Sequence, residues 1–247
     1  MSGRTLVVLQ ARMTSSRLPG KVMMEINGKP MIYWQIQRIL RSKCVNSLVV
    51  ATSVDSSDDS LVLFLEENSI SVYRGALENV LSRFIEVSER YAHDALIRLT
   101  GDSPFVMPQL IDQMVQAFYE QDVDYLSNTL EPTFPDGLDI EIIKPGVLQN
   151  LNAHNLEPKE LEHVTYGIYT RPETFKLSNF LNESNRSHER WTVDYQEDLD
   201  FVRDVYANFA GHEPTFTYLE LLDFLRQNPE IISGIDAARR NEQLHKE

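Results

Sequence analysis

Short apolar runs alternate with amphipathic stretches of helical spacing through the first half of this 247-residue chain, and that rhythm limits the fold more than any other feature. Residues 4–10 are β-branched and apolar, as a strand buried on both faces of a parallel sheet must be. Pro30 starts a helix with Ile32, Ile36, Ile39 and Leu40 on one face, and residues 48–52 form the next strand, which completes a βαβ unit. Ser57 or Asp58 can cap a helix that runs to Asn68; residues 70–73 are a short strand; Val80, Leu81, Phe84, Val87 and Tyr91 stripe another helix. A strand at 95–99 and a helix opened by Pro108 follow, with Leu110, Ile111, Met114, Val115 and Phe118 inward. The expectation is an α/β, Rossmann-like three-layer fold on a mostly parallel sheet, with ligands beyond the carboxyl ends of the strands.

Regularity weakens after a strand near 124–127. "EPTFPDG" is a turn, "LDIEII" alternates as a strand, and "PKELEHVTYGIYTRP" reads as helical then extended. "RWTVD" reads as a strand leading into a helix with Leu199, Val202, Val205 and Phe209 inward; a last helix over 218–227 stops before Pro229, and the final dozen residues are polar and frayed. No internal repeat or linker divides the chain, so residues 1–247 are expected to form a single domain.

Composition narrows the function classes. The only early apolar stretch, residues 6–9, is too short for a signal-peptide core, and no run approaches a membrane span, so a cytoplasmic protein without membrane partners is expected. The single cysteine, Cys44, rules out an internal disulfide and a multi-cysteine metal site. A net charge of −14 argues against a nucleic-acid surface. Its distribution says more: residues 1–43 carry +7 and the remainder −21, which suggests a compact polyanion bound near the start of the chain.

Four stretches could carry chemistry. "QARMTSSRLPGK" leaves the first strand with Arg12, Ser15, Ser16, Arg17 and Lys21; it matches neither the Walker A nor the dinucleotide glycine pattern, yet its forked donors and ammonium suit a triphosphate. A solvated basic loop paired with acids elsewhere is the alternative. "LTGDSP" ends a strand in Gly101-Asp102, placed to hold Mg²⁺ on a phosphate or simply to turn before a helix. In "DGLDIEII", Asp139 and Glu141 share one strand face, on which they need a cation or solvent between them, and Asp136 reads as a turn residue. Asp194 in "TVDYQED", with Glu197 three residues on, is either a metal carboxylate partnered by Asp102 or a helix N-cap. His163 in "EHVTYG" is the one histidine with a patterned neighbourhood; a structural hydrogen bond is the competing role.

Taken in order, these stretches resemble the sugar-acid cytidylyltransferases. The opening loop is similar to that of the CMP-KDO synthetases and of the spore coat polysaccharide protein F group. "LTGDSP" resembles their Gly-Asp-x-Pro turn and "TVDYQEDLDFV" their late "DTPEDLE" segment, while "GLDIEII" and "EHVTYGIY" look closer to the spore coat group. The glycine-rich loop of the related acylneuraminate enzymes is absent. The resemblance implies a nucleotidyltransferase fold, usually a homodimer, that couples CTP to a small acidic sugar with release of pyrophosphate, with 124–190 as the acceptor-side and dimerisation subregion. It implies that Arg12, Arg17 and Lys21 hold the triphosphate, with Gln10, Ala11, Ser16, Thr52, Ser53, Arg98 and Gly101 near the nucleotide. It further implies that Asp102 and Asp194 hold Mg²⁺, Asp102 serving catalysis with the three cations, and that Arg74, Asn79, Asp139, Glu141, His163 and Arg190 lie towards the acceptor. Two other classes remain open: a GT-A-type glycosyltransferase, for which "DIE" at 139–141 is a loose Asp-x-Asp substitute, and a non-catalytic nucleotide-binding paralogue.

Overall fold

The computed structural model describes residues 3–232. In chain order the elements are β1 (Thr5–Gln10), β2 (Glu25–Ile26), β3 (Lys29–Pro30), α1 (Met31–Ile39), β4 (Val45–Ser53), α2 (Asp59–Glu67), β5 (Ser71–Gly75), α3 (Val80–Arg90), β6 (Ala95–Thr100) and α4 (Pro108–Glu120). They continue with β7 (Tyr125–Ser127), β8 (Glu141–Ile143), α5 (Val147–Asn152), α6 (Pro158–Glu162), α7 (Tyr166–Tyr169), β9 (Leu177–Asn179), α8 (Gln196–Asn208) and α9 (Tyr218–Gln227). Seven strands form one sheet in the order β5-β4-β1-β6-β8-β7-β9, in which β8 alone runs against its neighbours; β2 and β3 form a separate hairpin.

The alternation of side chains along β1 divides the core in two. Val7 and Leu9 face the layer built by α1, α2, α4, α8 and α9, whereas Leu6 and Val8 face α3, α5 and α7. Both sets are buried because helices cover both sheet faces, which is why the strand reads as a continuous apolar run. The expected three-layer, mostly parallel sheet is therefore present, and β7, β8 and β9 from the less regular region extend it rather than form a separate layer.

Several local expectations differ. "RWTVD" is not a strand: Arg190 makes only an isolated bridge to Asp136, and residues 191–194 run irregularly into α8. "PKELEHVTYGIYT" folds as two short helices, α6 and α7, because Val164 sits at φ 42° and breaks the run between them. That value is unfavourable for a β-branched residue. The strand expected over "LDIEII" covers only Glu141–Ile143. Asp58 caps no helix; Asp55 accepts the Ser57 N–H at the preceding 3₁₀ turn, and Asp58 turns inward. The C-terminal dozen residues, expected to fray, lie outside the described residues.

Candidate active site

The loop after β1 opens at the carboxyl end of the sheet, and Lys21, on a 3₁₀ turn over Lys21–Met23, points back beneath it. Its ammonium is buried. It donates to Asp194 Oδ1 at 2.9 Å, to Asp102 Oδ2 at 3.2 Å and to the Val193 carbonyl at 2.6 Å. Acids ninety-two positions apart in sequence thus meet at one nitrogen. The segment before α8 is pinned to the turn after β6 by Val193 N–H and Thr192 Oγ1, which both donate to the Asp102 carbonyl, at 2.9 and 3.1 Å. Gly137 makes the packing of this segment possible: its φ is 101°, and a Cβ there would lie 2.6–2.9 Å from the Trp191 and Thr192 backbone.

Asp194 is the hub. Arg17 Nη2 reaches its Oδ1 at 2.6 Å, and Arg190 Nη2 reaches its Oδ2 at 2.8 Å. Burial alone would raise its pKa, but the Lys21, Arg190 and Arg17 charges and hydrogen bonds outweigh that and keep the carboxylate below its ordinary range. Arg190 is held from the other side by Asp136 at 2.9 Å and by Asp198 at 3.2 Å. Burial opposes its charge, yet the hydrogen bonds from Asp198 and Asp194 raise its pKa further. Asp198 also accepts the N–H groups of Asp194 and Tyr195 at 2.8 and 2.9 Å, so the helix-capping acid is Asp198 and neither Asp194 nor Glu197.

Beside this cluster lies a cavity of about 610 Å³ whose lining includes Arg17, Asp102 and Asp194 together with Arg98, Glu141, Lys159 and His163. Glu141 pairs with Arg98 and accepts from Tyr125 Oη at 2.5 Å and Thr165 Oγ1 at 2.6 Å. The counter-cation of Glu141 is therefore Arg98, and both Asp139 and Glu141 line the cavity. Asn128 brackets Asp139: its side chain donates to the Leu138 carbonyl and accepts the Ile140 N–H, at 2.8 and 2.9 Å. Glu141, with both oxygens engaged, makes a poor half of an Asp-x-Asp metal pair. The strained Val164 turns the Thr165 hydroxyl onto Glu141 while His163 faces the cavity.

Other expected site residues are placed less directly. Arg12 makes a long 3.9 Å contact to Glu162 and does not line the cavity, Gln10 Oε1 accepts from Arg98 at 3.3 Å, and Ser16 is exposed on the loop. The missing side chain of Gly101 makes room for Ala11, whose Cβ would lie 2.9 Å from a Cβ at position 101. Thr52 and Ser53 turn their hydroxyls onto Asp58. Arg74 donates to the Ser53 and Asp55 carbonyls, and Asn79 caps α3 by accepting the Ser82 N–H; neither lines the cavity. Arg190 does line it, but the donors described are spent on carboxylates, so its place is behind Asp194 rather than towards an acceptor. The early cationic excess is dispersed too: Arg4 pairs with Asp94, and Arg38 is sealed in the core. Sequence reasoning missed Asp198, Tyr125, Thr165 and Lys159, and it read Asp58 only as a possible helix cap.

Among the described residues no group of three or more His, Cys, Asp or Glu could hold a metal by itself. Asp102 and Asp194 both reach the Lys21 ammonium, and two carboxylates are the number that Mg²⁺ commonly takes from a protein when phosphates and water complete its shell. The donor set therefore fits that ion. No helix among the described residues is long and apolar enough to cross a membrane.

The family model described as "Cytidylyltransferase" matches residues 6–231. The spore coat polysaccharide biosynthesis protein SpsF of Bacillus subtilis is 35% identical over 240 residues, covering 94% of this chain and 98% of that protein. A 3-deoxy-manno-octulosonate cytidylyltransferase of Psychrobacter is 32% identical over 241 residues, 94% of this chain and 78% of its own. The structure of a cytidylyltransferase from Leptospira borgpetersenii superposes with a TM-score of 0.89 at 30% identity, over 94% of this chain and 98% of that one. With a match along nearly the whole sequence, and with the loop cations and late acids that prompted the resemblance gathered at one end of the sheet, the chain belongs to the cytidylyltransferase family of nucleotidyltransferases.

Proposed function

We propose that this protein transfers CMP from CTP to a hydroxyl of an acidic sugar, or of a similar acidic alcohol, and releases pyrophosphate, within surface polysaccharide or glycan biosynthesis. The observation that carries the reading is the meeting of Arg17, Lys21, Asp102 and Asp194 beside a cavity that Arg17, Asp102 and Asp194 line together with Arg98, Lys159 and His163. Arg17 and the adjacent Lys21 offer cations to a polyphosphate, and the cavity also offers Arg98, Lys159, hydroxyls and two tyrosines, Tyr166 and Tyr169, to a carboxylated polyol.

The acceptor hydroxyl attacks the α-phosphorus, the bond to the β-phosphate oxygen breaks, and pyrophosphate and a proton are the other products. Arg17 and Lys21 now neutralise carboxylates; with CTP bound they turn to the phosphates and stabilise the charge that grows on the leaving group. Mg²⁺ would be held by Asp102 and Asp194 and would supply neutralisation and orientation of phosphate oxygens. Arg190, fixed by Asp136 and Asp198, keeps Asp194 in place during that exchange. Pyrophosphate release measured with each of the four nucleoside triphosphates against a panel of acidic sugars tests the reading. Release with CTP and an acidic acceptor, abolished by EDTA, is expected; equal release with all four nucleotides, or none with any acceptor, would count against it.

A further inference from the structure

The loop that carries Arg12, Arg17 and Lys21 has no regular structure before the 3₁₀ turn at Lys21, so its shape depends on individual hydrogen bonds. The Met13 peptide is its centre: the Met13 carbonyl accepts the N–H groups of Ser15 and Gly20, at 3.0 and 2.8 Å, and closes the loop on itself. The N–H of the same residue donates to Asp58 Oδ1 at 2.7 Å, across forty-five positions of sequence. Asp58 is fully buried, and its second oxygen accepts from Thr52 Oγ1 at 2.8 Å, Ser53 N–H at 3.0 Å and Ser53 Oγ at 2.5 Å. One oxygen thus holds the loop and the other holds the end of β4. Burial would raise the pKa of this carboxyl, but the bonds from Met13, Ser53 and Thr52 bring it below the ordinary range, and a charged acceptor makes each bond stronger than a neutral one would.

We infer that Asp58 is a positioning residue for the nucleotide, acting through Met13 to set the loop that presents Arg12, Arg17 and Lys21. It touches none of the reacting atoms in this scheme. The hydroxyls of Thr52 and Ser53, at first sight nucleotide ligands, instead tie the second oxygen of Asp58 to the end of β4. The buried guanidinium of Arg83 lies close enough to feel both Asp58 and Arg12, so the charge at position 58 also offsets a cation behind the loop. This inference rests on the proposed function, because it requires the loop to bind the triphosphate.

Asp58→Asn keeps the shape, removes the charge and sets an amide donor against N–H or hydroxyl donors. It should raise the KM for CTP at least tenfold while the KM for the acceptor stays within twofold. Thr52→Val removes only a tie on the β4 side; it should lower Tm yet leave the KM for CTP within twofold. A fall in Tm for Asp58→Asn with an unchanged KM for CTP, or an equal rise for both substrates, would overturn the inference. So would a Thr52→Val enzyme with the Asp58→Asn kinetics. If Asp58→Asn does not fold, amide hydrogen exchange of the wild-type protein decides: the Met13 N–H should be protected before any nucleotide is added, and exchange at the unprotected rate would rule the anchor out. Failure of wild-type protein to bind or turn over CTP would instead remove the functional reading, with Met13 protection still judging the Asp58 contact.

Discussion

Arg38, on α1, and Arg190, before α8, occupy two kinds of interior. Both are almost wholly out of solvent. Arg38 donates to the carbonyls of Val106, Glu213 and Phe216 at 2.8–3.0 Å and lies 4.0 Å from the centre of the Phe216 ring, and burial lowers its pKa to about 10. Arg190 faces three carboxylates, and its pKa is raised. Burial is the same; the partners differ. A guanidinium satisfied by carbonyls fastens loops together, whereas one satisfied by carboxylates holds together acids that would otherwise repel one another, among them Asp194, to which the proposed mechanism gives a share in holding Mg²⁺.

The largest effect that would break this comparison lies on the site side. Arg17→Ala should lower the rate of pyrophosphate release by about two orders of magnitude or more, as removal of one charge-stabilising donor does elsewhere, with little change in Tm. Unchanged turnover in a folded variant would mean that the carboxylate-bound cations are structural after all. The opposite split is expected for Arg38→Met. Three buried carbonyls would lose their donor, so urea unfolding should report a loss of about 3 kcal/mol, while turnover per folded molecule stays at the wild-type level. A catalytic defect without a loss of stability would place Arg38 in the wrong class.

The smallest effect sharpens the comparison inside the cavity. His163 resembles Arg38: burial lowers its pKa below the ordinary 6.5, the nearby Glu162 raises it by less, and Arg98, Lys159 and Arg12 lower it further. Its folded pKa lies below its unfolded one, so the neutral ring's contribution to stability is complete above pH 6.5 and declines as the pH falls below that towards the folded value. The ring resonances should therefore titrate below 6.5, and His163→Gln should remove that part of the acid dependence. A midpoint above 6.5 would reveal a carboxylate partner dominating the ring, an environment of the Arg190 kind.

Much of the fold was legible because buried parallel strands and covering helices write different periods into the chain; β1, α1, α3, α4 and α9 followed from spacing within a residue or two. The region after β7 resisted, since α6 and α7 are divided by one strained valine that no periodicity signals. Within the site, Arg17, Lys21, Asp102 and Asp194 stood out as residue types at the ends of apolar runs. Asp58 did not, because an acid in "SVDSSDDS" has the composition of an ordinary cap, and its inward turn depends on a loop forty-five residues away.

What the sequence determined by itself was the alternating α/β architecture, the cationic opening loop and the family, all of which are local patterns or ordered strings of them. Which cation meets which acid was decided only by tertiary structure. Val193 and Thr192 carry Asp194 to Asp102, Lys21 joins the two acids, and Asp136 and Asp198 claim Arg190, because a buried charge must find its counter-charge wherever the packed backbone brings one within reach, regardless of distance along the chain.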